Sequence, residues 1–597
     1  MNFSEPFPLD RDSIERALNA MEAGIPYREA YEQLLLEVDD ATADRTMQLQ
    51  RESRGAWLLL LRGPCTSGAR ALFIGNALSG AHVPLAHHGY ELTLLDRNAL
   101  RLRFATLRNA ALVPGQQTRT VCGDGAARLP FADREFELVV AEDGLPDPAR
   151  GWGHDLEELR RICGGELLLV ADNRFAYKRS TGRRGVFDVP SPGRYASSIL
   201  TRRSERSLAG YRALAQAPGF ERPRSFALYP DAREFTFVVG LDGPELRLEL
   251  GPKERRNRWK ILAQRFGLFP WLAPSFALAS SRTEWRETPT RVERILSGLA
   301  RTLGEPVPRV EHLVATRGNS AVLLTRGESS EAAAGSWCVH VGLSAAQRNQ
   351  MQTHMQFLRR LANSAERCPV PEPLVEAFFD GVYVTCERRI AGWTAPQLTG
   401  ELQATARTLS DLSRILSGLV VERDVRLDEA LFEELLGSRF DLVRRHARVP
   451  STEHTLDELR RTTRRRVLGR RLPLVIQHAD LRSKHVQVRP DGSVLAILDW
   501  GSARPRDLPY YDLFHYLAHE RKQAQGLTPR QMWMQARSQA QRRPDEQTAI
   551  DDYCAAVGLD GEMREVLEEL YPVLVSAMVE AHWDFSRPRW LQRQFEL

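Results

Sequence analysis

The sequence of 597 residues predicts an α/β protein with two main domains. The first is expected to hold a mainly parallel sheet, because short apolar runs alternate with helix-spaced apolar residues from about 70 to 239. The second is expected to hold a small lobe rich in strands, followed by a larger helical lobe. The pattern changes at residues 281–290, and the chain is too long for one hydrophobic core.

Composition narrows the class of protein. Hydrophobic residues make up 43% and charged residues 27%, which is typical of globular proteins. A net charge of +5 over this length does not indicate a nucleic-acid partner. The seven cysteines form no CxxC pair, residues 1–12 lack a secretory pattern, and no apolar run is long enough to span a membrane. These features predict a protein of the reducing cytoplasm.

The first half of the chain reads as helices followed by an α/β domain. Helical patterns run through residues 1–55, and the α/β domain is predicted at 56–282. Its strands are predicted at 71–74, 92–95, 138–140, 167–170 and 275–279. Strands that alternate with helices form right-handed crossovers, so a Rossmann-like, mainly parallel sheet is expected. Ligands of such sheets lie beyond the carboxyl ends of the strands.

Three residues of this region suit contact with a ligand. Gly75 ends the first predicted strand, where the absence of a side chain lets the backbone approach a ligand. Asp96 ends the second, where a carboxylate can accept both hydroxyls of a ribose. Asp124 precedes the strand at 138–140, where a carboxylate can accept a hydrogen bond from an adenine amino group. Together they predict a site for an adenosine-containing cofactor.

The same region carries a family resemblance. Gly-Asp at 123–124, Leu-Pro-Phe-Ala-Asp at 129–133 and the apolar segment at 159–170 resemble the corresponding parts of class I S-adenosylmethionine-dependent methyltransferases. The resemblance spans about residues 70–279. It implies S-adenosylmethionine as methyl donor, with Asp96 at the ribose and Asp124 at the adenine.

Three positions depart from that family. The family has an acidic residue where Phe73 stands, and its glycine-rich loop has small residues here at Ala77 and Ser79. Small residues keep the loop tight, whereas the missing acid removes the usual partner of the methionine end. Two interpretations stay open: the domain binds the methyl donor, or Asp96 and Asp124 only cap loops in a retained fold.

The second domain is predicted at residues 283–597. Its small lobe has strands near 310–324, 337–341 and 382–386, with a helix near 347–361. A strand-loop-strand unit at 474–500 then lies within mostly helical sequence. This order of a small sheet-rich lobe and a larger helical lobe is typical of a bilobal, protein-kinase-like α+β domain.

Two short motifs lie in that unit. The first is Gln-His-Ala-Asp-Leu-Arg-Ser-Lys-His-Val at 477–486, and the second is Ile-Leu-Asp-Trp-Gly at 497–501. A turn at Pro-Asp-Gly, residues 490–492, predicts a hairpin that brings Asp480 and Asp499 together. Phosphoryl transfer needs one carboxylate to orient the attacking hydroxyl and another to hold magnesium against nucleotide phosphates.

These motifs, with Tyr-Tyr-Asp-Leu at 510–513, resemble the HxDxxxxN and Asp-Trp motifs of aminoglycoside phosphotransferases and choline kinases. The resemblance spans about residues 292–571. It implies ATP and Mg²⁺ as cofactors, with Asp480 as catalytic base, Asp499 as magnesium ligand and Asp512 as support of the catalytic loop.

Here too some positions depart from the family. His485 replaces the magnesium-binding Asn, and His340 stands where the family has its phosphate-binding Lys. His354 takes the place of the Glu that faces that Lys, so His340 and His354 are expected face to face. Gly-Asn-Ser at 318–320 is a candidate loop over the phosphates.

The domain order resembles bacterial methyltransferase/kinase proteins that act on surface polysaccharides. We therefore predict a bifunctional enzyme that methylates and phosphorylates a hydroxylated acceptor: a small molecule, a glycan or a lipid-linked sugar. The absence of a spanning segment leaves room for peripheral membrane contact. Two alternatives stay open. In one, both sites are degenerate and the protein is a scaffold or regulator; in the other, only one half is active.

Overall fold

The structure is a computed structural model. It describes residues 9–63, 68–123, 128–142, 151–176, 205–243, 246–248, 262–263, 265–316, 320–327, 335–363, 368–398, 400–447, 450–581 and 588–595. The chain divides into two units. The first comprises Met1–Arg348 and Val375–Cys386, and the second Asn349–Leu374 and Glu387–Leu597. The predicted division at 281–290 falls inside the first unit and stays a prediction as a domain boundary.

A single sheet of 13 strands organises the first unit. Its strands are β1 (Arg70–Gly75), β2 (Glu91–Asp96), β3 (Arg119–Cys122), β4 (Phe136–Glu142), β5 (Cys163–Asp172), β6 (Arg224–Tyr229), β7 (Phe237–Gly240), β8 (Ser275–Ser281), β9 (Arg309–Ala315), β10 (Ser320–Arg326), β11 (Trp337–Gly342), β12 (Pro373–Phe379) and β13 (Val382–Arg388). Their order is β12-β13-β11-β10-β9-β7-β6-β8-β5-β4-β1-β2-β3. All the strands predicted from the sequence are confirmed.

Strands β1 to β5 form the parallel part, in the order β3-β2-β1-β4-β5. After its first residue each of β1 and β2 is buried throughout, which is why they read as continuous apolar runs in the sequence. Phe73 pairs with Leu94 on one side and with Val140 on the other. This order puts the carboxyl ends of β1, β2 and β4 side by side.

Strands β6 to β11 continue the sheet in antiparallel pairs. Strand β8 separates β5 from β6, and β7 pairs in turn with β6. Strand β9 then pairs antiparallel with β7, with Phe237 opposite Val314 and Val238 opposite Leu313. The strands predicted for the small lobe therefore share one hydrogen-bonded sheet with those of the preceding α/β region.

Helices flank this sheet along the chain. They are α1 (Arg11–Glu22), α2 (Tyr27–Glu37), α3 (Asp40–Leu49), α4 (Val83–His87), α5 (Ala99–Leu112), α6 (Gly151–Ile162), α7 (Leu208–Ala215), α8 (Phe269–Leu272) and α9 (Arg291–Leu303). The next helix, α10 (Ala345–Ala362), belongs to the second unit from Asn349 onward. The helical segment before β1 ends in 3₁₀ turns at Glu52–Leu60, and every residue of these turns is buried. This segment therefore packs as part of the first unit's core.

The second unit is mainly helical and surrounds a separate apolar core. Its helices are α11 (Leu402–Ser417), α12 (Glu429–Phe432), α13 (Ser438–Ala447), α14 (Pro450–Val467), α15 (Tyr511–Gln525), α16 (Pro529–Arg537), α17 (Pro544–Val557), α18 (Gly561–Ala581) and α19 (Pro588–Phe595). Its strands are β14 (Trp393–Thr394), β15 (Val420–Arg426), β16 (Arg471–Gln477), β17 (Val486–Val488), β18 (Val494–Ile497) and β19 (Arg504–Asp507), in two small sheets. Throughout the described part of the chain, every helix is too short or too polar to cross a membrane.

Candidate active site

The catalytic loop follows the buried strand β16 in the second unit. Ala479 has a left-handed backbone with φ of 67°, a conformation that non-glycine residues adopt at a cost and that often occurs at active sites. Asp512, at the start of α15, stabilises it. The backbone N–H groups of His478 and Ala479 donate to its carboxylate at 2.6 and 2.9 Å. Burial raises the pKa of Asp512 to about 7, so the charge of this support changes near neutral pH.

The second carboxylate arrives through the predicted hairpin. Strands β17 and β18 pair antiparallel and return the chain to Asp499, which also has a left-handed φ of 65°. Ligand atoms of Asp480, His485 and Asp499 lie within 4.8 Å of one another. The structure thus brings together the three residues that the sequence predicts as catalytic base and metal ligands.

His485 has a fixed orientation in this cluster. Its Nδ1 lies 2.8 Å from the backbone carbonyl oxygen of Asp480, and its Nε2 lies 3.3 Å from Asp499 Oδ2. The imidazole is 4% exposed, whereas the side chain of Asp499 is 60% exposed. One side of the cluster is therefore rigid and buried, and the other is open to a ligand.

Two basic side chains hold Asp480. Arg482 donates to its Oδ2, and the ring of His515 places Nε2 3.5 Å from its Oδ1. Burial disfavours the charged carboxylate, but Arg482 and His515 outweigh it, so the pKa of Asp480 lies well below its usual range. Asp480 is consequently ionised near neutral pH and can accept a hydrogen bond from a substrate hydroxyl.

This arrangement makes the acid limb of the pH profile dependent on Arg482. Replacing Arg482 by Gln removes the cation that lowers the pKa of Asp480, so that pKa rises. Protonated Asp480 cannot accept a proton, and we expect the acid limb of kcat/KM to move to higher pH. The measurement is kcat/KM against pH for both proteins, with the exposed Arg461→Gln on α14 as control. An acid limb that stays in place would show that Arg482 does not set this pKa.

Two histidines, His515 and His354, support the site in ways that the sequence motifs do not indicate. His515 lies on α15 one turn after Asp512, a spacing that puts both side chains on one helix face and that is visible in the sequence. His354 accepts a hydrogen bond on Nδ1 from the backbone N–H of Trp500 at 3.0 Å, and its Nε2 donates to Glu387 at 2.6 Å. His354 therefore positions the loop of Asp499 through its neighbour.

His340 lies on β11 in the first unit, where its Nε2 is 3.5 Å from Cys338 Sγ. Cys338 and His340 are two positions apart on the strand, so their side chains lie on the same face of the sheet. Both ring nitrogens of His354 are engaged with Glu387 and Trp500, and contact between His340 and His354 stays a prediction. Of the candidate phosphate loop at 318–320, Gly318 and Asn319 lie outside the described residues.

In the first unit, Gly75 and Asp96 lie at the carboxyl ends of β1 and β2, as predicted. A Cβ at Gly75 would lie 2.2 Å from the carbonyl oxygen of Glu142, so only glycine fits there. Asp96 is buried and accepts from the backbone N–H groups of Ala77 and Asn98 at 2.8 and 3.0 Å. Burial raises the pKa of Asp96 above its ordinary value. Asp124 lies outside the described residues.

A buried arginine lies beside the loop after β1. Arg54 donates to Ser79 Oγ at 2.8 Å and to Glu142 at 2.5 Å, while Ser79 also donates to Glu142 at 2.9 Å. The backbone after helix α3 also lies close to this loop. A Cβ at Gly80 would be only 2.0 Å from the carbonyl oxygen of Gln50. The carboxyl ends of β1 and β4 are therefore joined by side chains of the protein itself.

A second buried arginine, Arg108, holds the same loop from α5. Its guanidinium donates to the carbonyl oxygens of Ala77, Leu78 and Ser79 at 2.8–3.2 Å. A cavity of about 450 Å³ remains next to Asp96. It is lined by Leu9, Arg11, Ile14, Leu78, Arg97, Asn98, Ala99, Leu100 and Arg101. The loop is rigid on one side and borders an open space on the other.

A known family model matches part of the chain. Residues 313–547 match the model of the phosphotransferase enzyme family. No curated protein sequence matches the chain.

Several solved structures align with parts of the chain at low similarity. An aminoglycoside phosphotransferase from Streptomyces rimosus is 17% identical, with 43% of this chain and 89% of that chain covered and a TM-score of 0.27. A macrolide 2′-phosphotransferase is 14% identical, with 51% and 96% covered and a TM-score of 0.34. The ethanolamine kinase of Plasmodium vivax is 11% identical, with 47% and 78% covered and a TM-score of 0.30. From the family match and the paired carboxylates, the chain is an enzyme, a phosphotransferase.

Proposed function

We propose that this protein transfers the γ-phosphoryl group of ATP to a hydroxyl group of a small-molecule or glycan acceptor. The observation that carries the proposal is the cluster of Asp480, His485 and Asp499, whose ligand atoms lie within 4.8 Å of one another. The match of residues 313–547 to the phosphotransferase family supports the same chemistry.

Asp480 is the catalytic base in this proposal. Its carboxylate accepts the hydrogen bond of the acceptor hydroxyl and so orients the attacking oxygen. A low pKa makes it a weak base, so it takes the proton late, as the oxygen–phosphorus bond forms. Phosphoryl transfer tolerates a weak base because positioning and charge stabilisation supply most of the catalysis.

Asp499 and His485 would hold a divalent cation, and His340 is the candidate phosphate contact from the small lobe. A bound cation neutralises charge on the nucleotide phosphates. The carboxylate of Asp499 suits Mg²⁺, which prefers hard oxygen ligands, but the imidazole of His485 does not. The donor set therefore fits a divalent cation and fits Mg²⁺ only in part.

The acceptor and its location are inferred from the order of the two halves. This order resembles that of bacterial enzymes of surface polysaccharide synthesis, so a glycan or lipid-linked sugar at the cytoplasmic face of a membrane is the acceptor we propose. Function is decided by the site and not by the order of domains, so this part of the proposal needs its own test.

The test is transfer of radiolabelled γ-phosphate by the full-length protein. It is supplied with Mg²⁺ or Mn²⁺ and a panel of monosaccharides, amino alcohols and lipid-linked sugars. We expect labelled product with at least one class of acceptor, and loss of that product in Asp499→Ala. The proposal fails if no acceptor is labelled with either cation. It also fails if Asp499→Ala transfers phosphate as well as the original protein.

Methyl-donor binding in the first unit is a second candidate function. The parallel order β3-β2-β1-β4-β5 matches that of dinucleotide-binding sheets, and the cavity next to Asp96 borders the end of β2. The methionine end fits poorly, since Arg54 joins Ser79 to Glu142 beside the loop and Phe73 replaces the family's acid. The present arrangement thus favours a nucleoside over the whole S-adenosylmethionine molecule.

Calorimetry separates these possibilities. We compare S-adenosylmethionine with adenosine as titrants, for the original protein and for Asp96→Asn. Tight S-adenosylmethionine binding that Asp96→Asn weakens would support the bifunctional interpretation. Binding of neither ligand would leave the phosphotransferase as the one active half.

A further inference from the structure

Several buried side-chain nitrogens in the described part of the second unit have no hydrogen-bond partner, and one of them lies in the cluster of Asp480, His485 and Asp499. It is Nε2 of His485, on an imidazole that is only 4% exposed. Buried polar atoms in folded proteins are nearly always paired, so such an atom calls for a physical reason. This nitrogen points toward the carboxylates of Asp480 and Asp499, with Asp499 Oδ2 at 3.3 Å.

The other ring nitrogen fixes which proton the imidazole carries. Nδ1 lies 2.8 Å from the carbonyl oxygen of Asp480, and a carbonyl oxygen can only accept. Nδ1 therefore carries the hydrogen, and in the neutral ring the lone pair is on Nε2. This is the usual arrangement of a metal-binding histidine, whose second nitrogen donates to a backbone carbonyl or a carboxylate.

The atoms opposite this lone pair are also acceptors. Ionised Asp480 and Asp499 offer only oxygen lone pairs, so three electron-rich groups converge within 4.8 Å. Such a group is stable when a positive charge lies between its members. One metal ion at about 2.0–2.3 Å from both His485 Nε2 and Asp499 Oδ2 suits their separation of 3.3 Å.

We infer that this site binds a first-row transition metal ion such as Mn²⁺, Co²⁺ or Zn²⁺, with His485 Nε2 as a direct ligand, in preference to Mg²⁺. Imidazole nitrogen suits Zn²⁺ well, and Co²⁺ and Mn²⁺ accept it more readily than Mg²⁺, which takes oxygen ligands and loses water reluctantly. The inference concerns the cation of the proposed phosphotransferase site and in that respect rests on the proposed function. Metal binding can nevertheless be measured without turnover.

The test uses the full-length protein without nucleotide. Calorimetric titration gives the affinities of Mg²⁺ and Mn²⁺, and pulsed electron paramagnetic resonance of bound Mn²⁺ reports any coordinated nitrogen. We expect Mn²⁺ to bind more tightly than Mg²⁺ and to show nitrogen coupling. His485→Asn should remove the coupling. It should also lower the ratio of the Mn²⁺ affinity to the Mg²⁺ affinity at least ~10-fold, because loss of a side chain that only supports a metal ligand can already lower metal affinity by this factor.

His454→Asn is the matched control, because His454 lies in the same unit with 73% of its side chain exposed. It should leave both the coupling and the affinity ratio unchanged. Absence of nitrogen coupling in the original protein, or an unchanged affinity ratio in His485→Asn, would overturn the inference. A loss of Mn²⁺ binding in His454→Asn would overturn it too, since the ion would then lie elsewhere.

A parallel assay of phosphate transfer separates this inference from the proposed function. Transfer supported by Mg²⁺ without nitrogen coupling to Mn²⁺ would leave the phosphotransferase intact and remove the metal preference. Nitrogen coupling without transfer to any acceptor would support the metal preference and contradict the proposed phosphotransferase activity.

Discussion

Replacing Asp480 by Asn is expected to lower the rate of phosphoryl transfer by about 10²–10⁴-fold, the usual contribution of a positioned general base. The amide has nearly the same shape as the carboxylate but cannot accept the proton of the acceptor hydroxyl. It also loses the charge that attracts Arg482 and faces His515. The loop should stay in place, because Asp512 holds its backbone independently.

The measurement is single-turnover transfer of labelled phosphate, together with nucleotide affinity. A base acts on the chemical step, so the rate should fall while nucleotide affinity changes little. Asp552→Asn, an exposed carboxylate on α17, is the matched control and should transfer phosphate normally. Asp480→Asn with an undiminished rate would exclude Asp480 as the base.

Replacing Asp507 by Ala is expected to destabilise the second unit by about 3–5 kcal/mol, because it leaves a buried arginine without its carboxylate. Asp507 ends β19 and is fully buried, and Arg439 on α13 donates to it with a side chain only 6% exposed. The backbone N–H of Leu508 also donates to Asp507 at 2.7 Å. Removal of the carboxylate thus leaves both donors unsatisfied.

A urea titration followed by hydrogen exchange of peptides from the second unit measures this effect locally. The exposed pair of Asp424 and Arg471, with a distance of 2.6 Å, provides the control. Asp424→Ala should change stability little, because exposed ion pairs contribute little. If Asp507→Ala and Asp424→Ala lowered the stability of the second unit equally, burial of the Asp507–Arg439 pair would not be the cause of the effect.

The parts of the site that the sequence predicts are local in the chain. Asp480, His485 and Asp499 lie on one hairpin, so motif spacing and a turn at 490–492 suffice to bring them together. The strands of the parallel sheet are also predictable, since each is an apolar run bounded by helical spacing. Helix periodicity could likewise have found His515 from Asp512.

The remaining contacts join residues far apart in sequence and leave no local signal. Arg54 meets Glu142 through the packing of the N-terminal helices, and a buried arginine there looks like any surface arginine in the sequence. His354 was expected opposite His340 by analogy with the family's ion pair. The structure engages His354 with Glu387 and Trp500, partners that periodicity cannot reveal.

The pairing of β7 with β9 affects how the chain can be dissected. A fragment beginning at residue 283 would contain β9 but not β7. The complementary fragment, which ends at residue 282, would contain β7 but not β9. Each would expose a row of unpaired backbone N–H and C=O groups, the kind of open edge that recruits foreign strands and promotes aggregation. The two fragments could pair through β7 and β9. Co-expression should therefore recover soluble protein that neither fragment yields by itself.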